Sequence, residues 1–542
     1  MKGISFRTIF ILLVIILIII AVYKNFEKKR EKIVLTEMTY NKNTIISNNL
    51  RIGIIEFDNI NPIISNNKNV QDISRLIFEP LFTLTPEYKL QPTLATEYYK
   101  LDSTTYLIRL RENVKWQDGN NFDVSDVIFT IDMLKSMGSD SIYFYNVKNI
   151  SEIQKIDNYT LRIIIDQEIP FYEYNFIFPI VSSKYFNEEN FFWESKNINP
   201  TGTGKFYISN VENDTITLKK NISNWENSII QLDTITIRLY GSLTSAINAF
   251  KTEEIDMFTT SKLDIEDYLE GFQYIEKDYI NRNYYYMALN TESRVLENIE
   301  VRQAINSAIN KEELINDLYR GKYKISNFPI DFGSYAYNIE NSHMSFDENT
   351  AKNLLIDHGW EYSSREWKKV IEDQYLNLEL SMVAKKSDRN SLKIANKIKE
   401  NLEKVGMNIN LIEASDGQYE SYKNKKNYDL IIVNSIYSYA PTLGKYFEEN
   451  NLANYNNERV NQFVSNAKIL TDETELREIY TKINDIYNEE VPYVSICFNI
   501  NTLIYGTSVK GKINPNSYNL FYGINGWYRE YEKKDEWMMK NE

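Results

Sequence analysis

The run NPTGTGKFYISN, residues 199–210, contains the glycines, hydroxyls and lysine that a phosphate-binding loop requires. In such a loop, G-x-x-x-x-G-K-[ST], backbone N–H groups close on phosphate oxygens and the final hydroxyl binds magnesium. Here Gly204 and Lys205 supply the middle of the motif, but Asn199 stands where the first glycine belongs and Phe206 where the hydroxyl belongs. The run therefore argues against nucleotide hydrolysis and favours a turn.

The chain contains few cysteine and histidine residues, which limits both metal binding and nucleophilic catalysis. The chain has one cysteine, Cys497, and two histidines, His343 and His358. A single cysteine excludes an intramolecular disulfide and a cysteine zinc site, and two histidines argue against a Ser-His-Asp triad or a histidine metal centre. We predict that Cys497 is a small buried apolar residue and that His358 lies near a helix C-terminus, where a cation is favoured. No metal or cofactor is expected.

The length and composition of the chain indicate an acidic globular protein that is long enough for two to four domains. The 542 residues include 75 acidic and 61 basic side chains, which gives a net charge of −14. Nucleic-acid binding needs a cationic footprint that releases counterions, and no concentrated basic segment follows residue 35. Nucleic acid is therefore excluded as a partner. The 41 tyrosines suit either a polar-lined binding cleft or an aromatic-rich core.

An apolar run from Ile9 to Tyr23 follows two basic residues at the start of the sequence. The run has the length of a signal-peptide core, but neither a small-residue cleavage site nor a lipobox cysteine follows it. We therefore expect an uncleaved signal anchor and stalk, residues 1–35, that tethers the protein to the cell membrane. The lysines after the run favour a cytoplasmic C-terminal side, although long domains translocate despite such charges.

Strand-like and helix-like segments alternate along the rest of the chain. Period-two apolar runs predict strands, and apolar spacings of three and four predict helices. The predicted strands include 50–57, 105–113, 160–166 and 428–435, and the predicted helices include 70–82, 123–137 and a pair over 301–321. Residues 391–414 predict a helix, a glycine and a strand, and residues 475–500 predict a helix that leads into a strand from Pro492. The pattern indicates an α/β fold with mixed sheets.

Five segments, in order along residues 50–522, share motifs with one family. In the first, 90–132, the matching positions are Pro92, Leu94-Ala95, Leu110-Arg111, Trp116, Asp118-Gly119 and Asp126-Val127. The others are NPTGTGKFYI, YYYMALNTES with VRQAINSAINKEEL, FDENTAKNLLIDHGW, and NYDLIIV with EEVPYVSICFN. In this order they resemble the extracytoplasmic solute-binding proteins of ABC importers, family 5, whose members bind oligopeptides, dipeptides or nickel.

The resemblance implies an α/β, two-lobed, periplasmic-binding-protein type II-like (cluster C) fold. An extra subdomain is expected on the first lobe. The membrane anchor helix is expected to precede the whole two-lobed fold. The implied division is 36–70, 199–285 and 496–542 for lobe I, 71–198 for the additional subdomain, and 286–495 for lobe II. Hinge strands are expected near 286–290 and 493–499.

The implied function is capture of peptides or peptide-like solutes between the lobes by hinge closure, followed by delivery to ABC permease subunits. Closure stabilises a complex only through contacts that the open state lacks. A monomer is expected, with one N-terminal anchor, most of the chain outside the cytoplasm and no enzymatic activity. A peptide or pheromone sensor of the same fold, without transport, is an alternative. A carbohydrate-active enzyme is the alternative from another class, but no motif places two carboxylates on facing strand ends.

The family's ligand loop follows its Y-D strand, which here begins at Tyr428-Asp429. Peptide-binding members carry an aspartate there that pairs with the peptide's free α-amine, and that place falls at Ser438. No carboxylate lies between Asp429 and Glu448. Either the ligand's α-amine is not recognised or another acid serves, because a buried unpaired ammonium is costly. The predicted ligand-binding residues are Asn66, Asn67, Tyr143, Tyr145, Asn434, Ser435, Tyr437, Ser438, Tyr439 and Phe498.

The glycine-threonine run is a structural turn in the family it resembles. Gly202 and Gly204 are expected to give the backbone freedom for a tight turn, and Lys205 takes the usual place of a proline. The segment Trp116–Gly119 predicts a hairpin, because Asp-Gly favours tight turns. Asp118 is accordingly predicted to be scaffold and not a catalytic carboxylate.

Overall fold

The computed structural model of this protein describes residues 44–331, 333–337, 345–470 and 472–532. The predicted anchor and stalk, residues 1–35, and His343 lie outside these ranges. Within the described ranges, no helix combines the length and the apolar character needed to span a bilayer.

The strands are numbered along the described chain. They are β1 (Thr44–Ser47), β2 (Asn49–Ile54), β3 (Phe82–Leu84), β4 (Leu90–Pro92), β5 (Ala95–Lys100), β6 (Thr105–Leu110), β7 (Ile150–Lys155), β8 (Thr160–Ile165), β9 (Phe206–Glu212), β10 (Thr215–Lys220), β11 (Thr234–Leu239), β12 (Met257–Thr260), β13 (Tyr274–Leu289), β14 (Lys324–Ile325), β15 (Glu361–Ser363), β16 (Glu366–Ile371), β17 (Gln374–Asn377), β18 (Glu379–Lys385), β19 (Asn408–Ala414), β20 (Leu430–Ile436), β21 (Tyr493–Gly506), β22 (Val509–Lys510) and β23 (Tyr528–Glu532).

The helices are numbered in the same way. They are α1 (Lys68–Ile77), α2 (Val124–Met137), α3 (Phe144–Val147), α4 (Glu194–Asn197), α5 (Leu243–Lys251), α6 (Ile265–Tyr268), α7 (Ile299–Ala308), α8 (Lys311–Tyr319), α9 (Glu348–Asp357), α10 (Arg389–Lys404), α11 (Asp416–Lys425), α12 (Gly444–Phe447), α13 (Glu458–Ala467) and α14 (Glu473–Glu490). Short 3-10 turns occupy Gly138–Asp140, Tyr172–Ile177 and Ile524–Gly526.

Two long antiparallel strands, β13 and β21, lie in the middle of the largest sheet of the described residues. The strand order is β19-β18-β20-β13-β21-β12-β2-β11-β10-β9, and β14 also pairs with β21. The pairs β2-β11, β2-β12, β18-β19 and β18-β20 are parallel, and the other neighbours are antiparallel. The mixed sheet predicted from the sequence is therefore present, and each of its halves carries its own helices.

The pairing of β13 with β21 changes register between the two halves. Tyr274 to Ile280 pair with Gly506 to Ile500, and the pairing resumes from Tyr284 opposite Phe498. We call the side with β12, β2, β11, β10 and β9 lobe I, and the side with β20, β18 and β19 lobe II. The chain thus passes between the lobes twice within this strand pair. The segment boundaries predicted for each lobe stay predictions.

Each lobe has its own hydrophobic core. In lobe I one continuous core joins the large sheet to a second sheet, β5-β6-β8-β7, and to α2, with Trp116, Ile163 and Trp527 among its members. In lobe II, one core lies under α7 to α10 and another, rich in tyrosine, under α11 to α14. Cys497 is fully buried in the first of these lobe II cores, as the sequence predicts.

Helix α1 belongs to lobe I, and its first turn is capped by the side chain of the residue before it. The Asn67 side chain accepts hydrogen bonds from the backbone N–H groups of Asn69 and Val70. The helix predicted over 70–82 ends earlier, at Ile77, because Pro80 favours an extended conformation in the residue before it. The early end places Glu79 outside the helix.

The glycine-threonine run is a turn, but its glycines have another role than the one predicted. Neither Gly202 nor Gly204 has a positive φ among the described residues. A Cβ atom on Gly202 would lie 1.9 Å from the carbonyl oxygen of Ile77, and one on Gly204 would lie 2.6 Å from the same oxygen. The Gly204 N–H donates to that oxygen at 2.8 Å. Close approach to the end of α1, and not special dihedral angles, is therefore what requires glycine here.

The Trp116–Gly119 segment forms the predicted hairpin. Gly119 has φ +91°, and the Trp116 N–H donates to Asn120 across the turn. The Trp116 indole donates to the Asp126 carboxylate at 3.0 Å, which fixes the hairpin on α2. Asp118 accepts from the backbone N–H of Asn120 at 3.0 Å, so its carboxylate stabilises the turn.

Candidate functional site

A cavity of about 890 Å³ lies between the two lobes, next to the crossing strands. Lobe I contributes α1 and parts of 139–146, 169–177 and 517–518, whereas lobe II contributes residues between Ile436 and Thr442. Asn281 and Arg282 line it from β13, at the point where the strand pairing changes register. The volume is in the range of pockets that enclose small ligands.

Arg75 presents a guanidinium to this cavity from the last turn of α1. Its Cζ lies 3.7 Å from the centroid of the Tyr518 ring, in a cation–π arrangement. Among the described residues the Arg75 side chain has neither an ion pair nor a hydrogen bond. A partly buried guanidinium without a carboxylate partner is a suitable hydrogen-bond donor for an anionic group of a ligand.

Arg282 is the second guanidinium of the cavity. Its φ of 76° is unusual for a residue with a side chain, and it falls in the gap between the two registers of β13 and β21. The Arg282 Nε donates to the carbonyl oxygen of Tyr437 at 2.7 Å, and its Cζ lies 4.0 Å from the Tyr439 ring centroid. One side chain thus connects the crossing strands to the loop that lines lobe II.

The charge of the lining is positive although the whole chain is acidic. The charged residues of the lining are Lys68, Asp72, Arg75 and Arg282. Lys68 is paired with Asp72, the single carboxylate of the set. The pair leaves two guanidinium charges, so the cavity favours anions over cations.

Tyrosines from both lobes meet at one end of the cavity. The Tyr439 ring of lobe II packs edge-to-face on Tyr518 of lobe I, with centroids 5.4 Å apart, and tilts against Tyr88 at the same separation. The Tyr174 hydroxyl donates to the Tyr335 hydroxyl at 3.3 Å. These contacts hold the lobes together on that side and give the cavity walls both flat apolar faces and hydroxyls.

Four of the ten residues predicted to bind ligand line this cavity. Tyr143 is buried, its hydroxyl donates to Gln71 Oε1 at 2.5 Å, and burial raises its pKa to about 12. Tyr145 is 62% exposed, so its ring is free to meet a ligand. Ser438 and Tyr439 line the lobe II wall, and the Ser438 hydroxyl accepts from the Ala440 N–H at 3.1 Å.

Three other predicted residues stabilise neighbouring structure. Asn66 accepts from the Ile142 N–H at 3.2 Å and donates to the Asp140 carbonyl, and Asn67 caps α1. Phe498 is fully buried and stacks on Tyr284 in the lobe II core, with ring centroids 4.7 Å apart.

The remaining three, Asn434, Ser435 and Tyr437, also lie outside the lining of the central cavity. Tyr437 is buried and packs edge-to-face on Phe498. Asn434 donates to the Tyr285 hydroxyl at 3.0 Å and to Asp388 at 2.9 Å, and Ser435 pairs with Tyr284 in the sheet. Ligand contact by any of the ten residues stays a prediction.

Sequence reasoning missed Gln71, Asp72, Arg75, Arg282 and Tyr518. A signal for the first three was available, because Gln71 and Arg75 are four residues apart in a helix and lie on one face with Asp72. Polar residues on the buried face of a helix indicate a lined cavity. No local pattern distinguishes Arg282 or Tyr518 from other residues of a strand or loop.

No group of three or more histidine, cysteine, aspartate or glutamate side chains in the described residues is arranged to hold a metal ion. Two lobes joined by crossing strands, with a polar and aromatic cavity between them, define a solute-binding protein of the two-lobed type. The chain belongs to the bacterial extracellular solute-binding proteins, family 5, whose middle region matches residues 89–453. The family expected from the sequence motifs is confirmed, and with it the expectation of a binding protein and not an enzyme.

Individual relatives share this architecture at low sequence identity. The glutathione-binding protein GsiB of Escherichia coli (strain K12) is 24% identical over 465 residues, which are 81% of this chain and 86% of that protein. The unliganded open form of the periplasmic murein tripeptide-binding protein MppA superposes with a TM-score of 0.76 at 18% identity, covering 91% of this chain and 99% of the other. HbpA2 from Haemophilus parasuis gives a TM-score of 0.74 at 19% identity, covering 88% and 99%.

Proposed function

We propose that this protein captures peptides or peptide-like solutes that carry a free carboxylate, and presents them to an ABC importer. The observation that carries the proposal is the pair of guanidiniums, Arg75 and Arg282, in a cavity whose single carboxylate is already paired with a lysine. An arginine fork matches the geometry of a carboxylate and forms charge-assisted hydrogen bonds with it.

The same lining accounts for a serine at position 438, where peptide-binding members of the family carry an aspartate. A ligand that is held through its carboxylate needs no buried partner for a free α-amine, provided that the amine stays in water or is blocked. Asp72 is engaged by Lys68, so it is not a free partner for an ammonium. The proposed selectivity is therefore for anionic over cationic ends of the ligand.

The rest of the cavity suits a peptide of variable sequence. Tyr143, Tyr145 and Tyr439 offer ring faces and hydroxyls, and a cavity of about 890 Å³ leaves room for bridging water. Such mixed walls tolerate different side chains while main-chain and terminal groups are recognised. The relatives support this class, since glutathione and a murein tripeptide are peptide-like compounds that carry carboxylates.

Capture by closure around β13 and β21 is part of the proposal. The lobes touch on either side of the crossing strands, where Lys89 pairs with Glu473 at 2.6 Å and Arg320 with Asp267 at 3.0 Å. A ligand that binds both Arg75 of lobe I and the 436–442 loop of lobe II would add contacts that the open state lacks. Anchoring to the membrane through Ile9–Tyr23, a monomeric state and delivery to a permease belong to the same proposal.

The test uses purified residues 36–542 with calorimetry and thermal shift. We expect saturable binding of glutathione or a short peptide, a rise in melting temperature, and a loss of at least about tenfold in affinity when the C-terminal carboxylate is amidated. Mass spectrometry of solute carried through purification would identify the natural ligand. Binding of only a sugar or a nickel chelate, or equal binding of the amidated peptide, would overturn the substrate class.

A further inference from the structure

A second, smaller cavity of about 320 Å³ lies wholly within lobe I, on the other side of Arg75. Arg75 lines both cavities, and Asn519 of the second follows directly on Tyr518 of the first. The second cavity is formed by the chain after α1, the β3-β4 hairpin and residues near 225 and 522. It belongs to neither the interlobe cleft nor the crossing strands.

Glu79 is the buried acid of this cavity. Its residue is 7% exposed, and its Oε2 accepts from the Trp225 indole N–H at 2.8 Å. Burial raises the pKa of its carboxyl to about 7. The neighbouring charges do not neutralise it directly, because Lys205 is paired with Glu226 at 2.7 Å and Arg75 is stacked on Tyr518. Tyr522 is the other titratable group in the lining.

Two further oxygen atoms in the lining are buried and without a hydrogen-bond partner among the described residues. They are Thr93 Oγ1, on a residue that is 9% exposed, and Asn525 Oδ1. Unsatisfied buried acceptors are rare and costly, so a group that donates to them is expected. Phe78, Trp225 and Phe521 supply apolar and aromatic walls. The cavity therefore combines one acid that is outside any ion pair, Glu79, with two open oxygens and aromatic surface.

The geometry points to a second ligand site in lobe I that binds a small primary ammonium compound. A primary ammonium has three donors and a positive charge, which match the Glu79 carboxylate and the two open oxygens. The aromatic walls suit the short alkyl chain that carries the ammonium. A neutral alcohol lacks the charge, and a quaternary ammonium lacks the N–H donors. Weaker binding of both compounds would therefore show that the site recognises a primary ammonium and is not simply an apolar space that any small molecule fills. This site does not depend on the carboxylate ligand proposed for the cleft.

The experiment uses n-propylammonium as the probe, with n-propanol and tetramethylammonium as controls, on the purified full-length protein. At pH 8 we expect saturable binding of propylammonium that is at least about tenfold tighter than either control. Between pH 8 and pH 5.5 we expect a loss of at least about tenfold, because Glu79 becomes protonated while the probe stays charged. The Trp225 indole N–H resonance, assigned with Trp225→Phe, should shift on binding.

The variants locate the site. Glu79→Gln keeps an acceptor for Trp225 but removes the charge, and we expect it to lose at least about tenfold in propylammonium affinity while glutathione binding in the cleft is unchanged. Thr93→Val, which keeps the shape and removes one acceptor, should lose about threefold to tenfold and serves if Glu79→Gln does not fold. Absence of saturable binding, equal binding of propanol, or unchanged affinity in both variants would overturn the proposal. If the wild-type protein binds propylammonium but does not bind glutathione, the result would instead contradict the ligand class proposed for the cleft and would leave the second site supported.

Discussion

Arg282 and Tyr437 are joined by two reciprocal hydrogen bonds. The Tyr437 N–H donates to the Arg282 carbonyl at 2.8 Å, and the Arg282 Nε donates back to the Tyr437 carbonyl at 2.7 Å. Arg282 belongs to the strand that crosses between the lobes, and Tyr437 opens the loop that lines lobe II. The guanidinium that faces the ligand space is therefore attached to the place where the strand pairing changes register. The cavity lining and the crossing strand therefore share one residue.

Two substitutions of Arg282 separate the effect of its side chain on ligand affinity from the effect of its backbone conformation on stability. Both Arg282→Gly and Arg282→Ala remove the guanidinium, and we expect each to weaken a carboxylate ligand by about tenfold or more. Glycine tolerates the positive φ and alanine does not, so the glycine variant should be more stable by about 1 kcal/mol. Calorimetry and urea unfolding measure the two effects. Equal stability of the two variants would contradict the strain at this position.

Arg75→Gln tests the cleft guanidinium of lobe I. We expect an affinity loss for glutathione or a short peptide of about 1.5–3 kcal/mol, since a charge-assisted hydrogen bond is removed. The unfolding free energy should fall by no more than about 1 kcal/mol, from the lost contact with Tyr518. Arg109→Gln, at an exposed position of β6 in the sheet β5-β6-β8-β7, is the matched control. An unchanged affinity for the carboxylate ligand, or an equal loss for its amide, would be evidence against Arg75 as the carboxylate site.

Gly202→Ala tests the close approach of the glycine-threonine run to α1. A methyl group there would meet the Ile77 carbonyl at 1.9 Å, so we expect a loss of stability of about 2–4 kcal/mol. Gly417→Ala is the control, because its position in α11 has open space and alanine favours a helix. The control should be stabilising by about 0.5–1 kcal/mol. Urea unfolding of both variants provides the comparison, and a harmless Gly202→Ala would mean that the turn relaxes away from Ile77.

Asp331 predicts a pH dependence of stability between about pH 4 and pH 6. Burial raises the pKa of this carboxyl to about 6, and it accepts from the Gly333 N–H at 2.7 Å. An acid whose pKa is raised by folding stabilises the fold when protonated, so this contribution is present below its unfolded pKa and is lost as pH rises through 6.

Asp331→Asn mimics the protonated form at every pH and therefore removes this pH dependence. Relative to the wild type, the variant should gain on the order of 2–3 kcal/mol between pH 4 and pH 7. Asp118→Asn, in the exposed hairpin, should show no comparable gain. The measurement is the free energy of unfolding at several pH values. A difference between wild type and Asp331→Asn that stays constant with pH would refute the assignment.

Much of the fold follows from local pattern. The helix pair over 301–321, the strands near 105, 160 and 430, and the long helix before Pro492 appear where apolar spacing predicts them. The end of α1 was misplaced because the effect of Pro80 competes with a helical run of apolar residues. The site was only partly predictable, since Tyr143, Tyr145, Ser438 and Tyr439 line the cavity and Phe498 is core.

The sequence by itself determined the element types, the turns, the exclusion of an intramolecular disulfide and the family, because these depend on residue types and short spacings. Only the tertiary structure decided which side chains meet in the cleft and which oxygens stay open in the second cavity. Arg75 and Tyr518 are far apart in the chain, as are Glu79 and Trp225, and both pairs form through the packing of distant segments on the lobe I sheet. Contacts of that kind depend on strand order and register across the whole sheet, which no local pattern of residues specifies.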